Sequence, residues 1–251
     1  FSENPTFLST TGSNVNFLHI DTTVSTQLES GAANISGILD DFDAQTRQGN
    51  PGYSGSGTAP DVGADEFNGI GIDLSAPVIS YSLLGNGAAV PNRAFSAVTI
   101  TDATGVEGTS GTRPRVYYKK SSDANNTFND NTSATTGWKY VEANGSSSPF
   151  DFTIDYTLLN GGSVSVGDTI QYFVVAQDTV TPTPNVGINS GTFAATPTSV
   201  ALTAAAFPIG GTINTFNIVP AISGALALDG TTYTSLTNNN AQGVFNAINS
   251  G

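Results

Sequence analysis

The stretch Asp168-Thr169-Ile170-Gln171-Tyr172-Phe173-Val174-Val175-Ala176-Gln177-Asp178 decides the fold of this chain. Ile170, Tyr172, Val174 and Ala176 fall on every second residue, so an extended backbone puts all four on one face. β-Branched and aromatic side chains fill the interior of the run. The reading is a strand whose even-numbered face meets a core.

The same alternation recurs on both sides of it. Val78–Leu83, Arg93–Asp102, Arg115–Lys120, Trp138–Glu142, Phe150–Leu158 and Gly187–Ala194 read as six further strands. In the second of these, strict alternation places Phe95, Ala97, Thr99 and Thr101 on one face and Ala94, Ser96, Val98 and Ile100 on the other. The polar insert Ser121–Gly137, with Asn125, Asn126, Asn129 and Asn131, reads as a long hairpin loop. Seven short strands with turn signals between them are the signature of an immunoglobulin-like or fibronectin III-like sandwich over residues 76–197. The Tyr172–Asp178 run resembles the sixth strand of fibronectin type III modules.

The flanks differ. Residues 1–75 hold short apolar pieces, such as Val15–Leu18 and Ile35–Leu39, among turn pairs such as Asn4-Pro5 and Asn50-Pro51. No helical period lasts three turns there. In residues 198–251, Ala201–Ala206 and Ile213–Val219 look extended, and Ala225–Leu236 reads as a hairpin turning at Asp229-Gly230. Ala241–Asn249 is expected as a short helix.

Composition narrows the function classes. Charged residues are 11% of 251, and the net charge of −13 repels nucleic acid phosphates and anionic lipid. The absence of cysteine excludes disulfides and thiol chemistry. No run of 18 apolar residues offers a membrane span. A chain that starts at Phe1 and contains no methionine is expected to be part of a longer one.

Asn4-Pro5-Thr6-Phe7, Asp41-Phe42-Asp43 and above all Pro60-Asp-Val-Gly-Ala-Asp-Glu-Phe67 resemble the closing turns of secreted right-handed parallel β-helix proteins of the Bacteroidetes type. Tyr233-Thr-Ser-Leu236 and Gly243–Ile248 resemble the opening of another such helix. The resemblance implies an all-β chain. It would be the C-terminal coils of a β-helix over 1–75, a sandwich over 76–197, and linker strands with the start of a further β-helical domain over 198–251. It also implies a tandem array on a long cell-surface protein exported by type IX secretion, outside a Gram-negative bacterium.

His19, the sole histidine, lies in the apolar context Phe17-Leu18-His19-Ile20 and reads as a structural, partly buried residue. The Gly52–Gly57 run only superficially resembles a nucleophile elbow. No catalytic residue is assigned, and the chain reads as not an enzyme. Asp40, Asp41, Asp43, Asp61, Asp65 and Glu66 are the candidate calcium ligands, since hard cations take turn carboxylates. Asp102, Glu107 and Asp178 form a second candidate set, and ordinary caps and turns are the simpler reading of either group. Arg115, Tyr117 and Lys119 share one face of an alternating strand, and Lys139 can lie beside them. An exposed aromatic between bases stacks on sugars, so this face is the candidate glycan site, with an ordinary solvated sheet face as the alternative. Thr22, Thr169 and Thr179 follow aspartates in the Asp-Thr-x pattern of Bacteroidetes O-glycosylation.

The expected function is a non-catalytic structural or adhesive spacer between β-helical units. Its partners would be neighbouring domains of the same chain, further copies of itself, or extracellular glycans. The alternatives are an accessory, glycan-binding module of a polysaccharide-degrading enzyme, and a subunit of a fibre that assembles head to tail.

Overall fold

A computed structural model describes residues 3–125, 128 and 130–221. The hairpin expected at Ala225–Leu236, the helix at Ala241–Asn249 and the opening of a further β-helix lie outside the described residues. The chain is all-β. It divides into two compact units, the first of Phe1–Ser75 with Val180–Thr183, the second of Ala76–Thr179 with the chain from Pro184 on.

The first unit contains little regular structure. β1 (Ser25–Thr26) and β2 (Ile70–Gly71) pair in parallel, and single bridges join Phe7 to Ile20, Ser9 to Phe17 and Asp40 to Thr46. Turns of Gly, Asn and Ser leave many backbone N–H groups without a ladder partner, and carboxylates take that place. Asp41 accepts from the amides of Asp43, Gln45 and Glu66 at 2.8–2.9 Å. Asp61 accepts from Ser30 and Phe67, each at 2.7 Å. Glu66 accepts from Gln48 and Asp61, and Glu29 from Gly69. Glu29, Asp61 and Glu66 are buried, whereas among the described residues of this unit only Ile20 and Phe67 of the large apolar side chains are.

Among the described residues, the second unit has nine strands. They are β3 (Val78–Ser80), β4 (Gly87–Ala88), β5 (Asn92–Thr101), β6 (Arg115–Lys120), β7 (Lys139–Glu142), β8 (Phe150–Asp155), β9 (Thr169–Gln177), β10 (Val186–Asn189) and β11 (Asn214–Val219). β3, β5 and β8 form one antiparallel sheet in that order. The other six form a sheet ordered β4-β11-β9-β6-β7, with β10 also on β9. β9 organises it. One of its edges carries β6, and the other is shared, with β10 against Val174–Gln177 and β11 against Thr169–Tyr172.

Ile170, Tyr172, Val174 and Ala176 face the three-stranded sheet and share one core with Phe95, Val98, Ile100, Phe150 and Phe152. Strict alternation along β5 fails. Between Phe95 and Val98 the register with β8 shifts by one residue, so Ser96 and Ala97 together oppose Asp151. Ala97 takes a left-handed backbone, φ 60°, and its amide donates to the Asp151 carboxylate at 2.9 Å. The bulge returns Val98 and Ile100 to the face of Phe95.

The six-stranded sheet is covered on its second face as well. Tyr117, Phe173 and Val175 pack there against Trp138, Val200, Leu202, Phe207 and Ile209. The compact unit therefore continues beyond residue 197. The segment expected to link onward supplies both this cover and β11.

Candidate functional site

In the first unit three separated turns bring His19, Asp43 and Asp65 together. Leu18, at φ 60°, directs the chain into His19, whose carbonyl accepts from the Leu8 amide at 2.8 Å. Asp43 follows an Asx turn closed by Asp41. Asp65 is fixed by the Ile20 amide, which donates to its Oδ2 at 3.2 Å. Nε2 of His19 then lies 3.2 Å from Oδ2 of Asp43, and Nδ1 lies 3.5 Å from Oδ1 of Asp65. The imidazole is half-buried, with 29% of its side chain exposed. A pocket of about 460 Å³ opens beside it, and its wall is mostly hydrocarbon from Phe7, Phe17, Ile20, Leu28, Phe42 and Val62.

The expected metal ligands separate into two groups, with Asp40 outside both. Asp43 and Asp65 meet at His19. Asp41, Asp61 and Glu66 are engaged by backbone amides, and Glu66 also by the Arg47 guanidinium at 3.4 Å. Asp40 is exposed and takes part in a backbone bridge to Thr46. Burial, reinforced by Glu29 and Glu66, pushes the Asp61 carboxyl up to about 6 against the pull of its two amide donors. The six acids therefore do not converge on one calcium ion. His19, read from the sequence as structural, is the residue that joins two of them. In the second candidate set, the carboxylate of Asp102 accepts from Thr104 and that of Glu107 from Thr109, each two residues along its own turn. Asp178 accepts from Asn185.

The proposed glycan face is not at the surface. Arg115, Tyr117, Lys119 and Lys139 are all buried. Tyr117 stacks on Phe173 with ring centres 5.3 Å apart, donates to the Val200 carbonyl at 2.7 Å and accepts from the Leu202 amide at 3.1 Å. Lys119 donates to the carbonyls of Lys120 and Asp123, and its burial lowers its affinity for a proton. Lys139 donates to Thr135 and Asp130, and Arg115 to Glu142 while lying over the Tyr140 ring. The physical reason is the second cover on the sheet. Phe173 and Val175, apolar at the odd positions of β9, were the sequence signal that this face is dry.

Of the three candidate O-glycosylation threonines, Thr22 and Thr179 are exposed and Thr169 is half-buried. The hydroxyl of Thr179 donates to the Thr104 carbonyl at 2.7 Å, and that of Thr169 to Asn217 at 2.8 Å. No helix among the described residues is long and apolar enough to cross a membrane. Comparison with family models, curated proteins and solved structures finds no match to this chain.

Proposed function

We propose that the chain is a non-catalytic structural segment of a long secreted bacterial surface protein. In this reading the first unit is the closing part of a stack of parallel coils, and the second is an immunoglobulin- or fibronectin III-like spacer. One observation carries it: burial in the first unit is inverted. Glu29, Asp61 and Glu66 are inside, holding turns, while Leu8, Val15, Ile35, Leu39 and Phe42 are 54–87% exposed. A coil of a solenoid buries its apolar face only against the next coil, so such a face marks a stacking surface. The parallel pairing of β1 with β2, 45 residues apart in register, suits the same architecture. The second unit contributes stiffness, because its basic and aromatic groups are spent on a second core and not on a ligand.

Hydrophobic-dye binding and sedimentation of the full chain test the proposal. The chain should bind dye and associate as its concentration rises. Replacing Val15 and Phe42 with Ser should reduce both without altering the circular dichroism. A chain that stays monomeric at high concentration and binds no dye, or one that retains glycans on an array, overturns it.

A further inference from the structure

We infer that His19, Asp43 and Asp65 form a binding site for a divalent cation of the zinc class, independent of the spacer role. One ring nitrogen of His19 and one oxygen from each carboxylate lie within 4.8 Å of one another. With bonds of about 2.0–2.1 Å, a tetrahedral ion sets its ligand atoms roughly 3.4 Å apart. Small side-chain rotations close that difference on turns set by local hydrogen bonds. The Ile20 amide holds Oδ2 of Asp65 and leaves Oδ1 beside the imidazole, the Asp41 carboxylate holds the Asp43 amide, and the Leu8 amide holds the His19 carbonyl.

The donor set chooses the cation. Calcium takes six to eight oxygens, and Asp41, Asp61 and Glu66 already have both carboxylate oxygens engaged by backbone amides. An imidazole nitrogen with two carboxylates suits zinc, and a three-ligand shell leaves an open position for water. The ring nitrogen that binds the ion must be free of its proton, so zinc competes with protons for His19.

His19 is the chain's only histidine, which makes the test direct. Its imidazole C–H resonances are followed by NMR in the full chain while zinc is added, and the heat of binding is measured in parallel. One zinc per chain should bind and move these resonances, and cobalt should shift them paramagnetically. His19→Gln and Asp43→Asn should each weaken zinc at least tenfold, Asp40→Asn should leave it unchanged, and calcium should bind at least tenfold more weakly than zinc. Absence of zinc binding at millimolar concentration overturns the inference. So does zinc that binds without moving the His19 resonances, or calcium that binds as well as zinc. The resonance measurement on the unaltered chain decides the matter even where a variant fails to fold.

Discussion

Tyr117 shows what single side chains do in this molecule. Its hydroxyl lies in a dry layer and satisfies two backbone groups of the covering segment, the Val200 carbonyl and the Leu202 amide. Tyr117→Phe removes both bonds, while the Leu202 amide still donates to the Val200 carbonyl at 3.1 Å, and should lower the stability of the second unit by about 0.5–1.5 kcal/mol per lost bond in denaturant titrations. Asp61 bears on pH. Its carboxyl is raised from 3.8 unfolded to about 6 folded, so between these values the folded state binds more protons. Its contribution is fully present below pH 4 and is lost as pH rises through 6. Asp61→Asn should flatten this part of the profile, measured by melting at pH 4 to 7. Asp130 acts in the opposite sense. Its bond from Thr135 holds it down to about 2, so its contribution is present above pH 4 and disappears as pH falls toward 2. The inward position of Tyr172 and Ile170 could be read from the sequence by period alone. The burial of Lys119 and Lys139 could not, because it depends on a cover formed by residues far away in the chain.

At the scale of elements, the bulge in β5 decides whether Val98 and Ile100 are core or surface. Ala97 occupies a backbone region that costs a side chain about 1–2 kcal/mol, and glycine enters it freely. Ala97→Gly should therefore stabilise the second unit by about 0.5–1 kcal/mol. Deleting Ala97 leaves Ser96 alone opposite Asp151 and restores simple alternation with Phe95, Val98 and Ile100 still inward, so cooperative melting should survive the deletion. Nothing in Ala94-Phe-Ser-Ala-Val-Thr-Ile100 announces the extra residue, since small polar and apolar side chains suit either register. β11 was recognisable as an extended run, but not as a partner of β9. Sheet order comes from long-range packing, and a strand's own alternation is silent about which edge it joins.

The whole molecule contains two units stabilised in different ways. The second has two dry layers around one sheet, and the sole tryptophan, Trp138, is buried in the outer one. Its emission should report the melting of the second unit alone, and conditions that loosen the carboxylate-held turns of the first should leave it unchanged. Calorimetry beside fluorescence tests this: a heat event without a fluorescence change is expected first. The all-β class and the change of character near residue 75 were legible because composition and alternation act locally. The meeting of His19 with Asp43 and Asp65 was not, because turns carry no period from which their mutual position follows.

β3, near the start of the second unit, and β11, near the end of its described residues, belong to different sheets. Tension applied along the chain would enter one layer and leave through the other. It would have to slide Ile79, Phe95 and Ile100 across Tyr172 and Phe216 all together, instead of unzipping a single ladder rung by rung. Such a module should yield to a pulling tether late and abruptly.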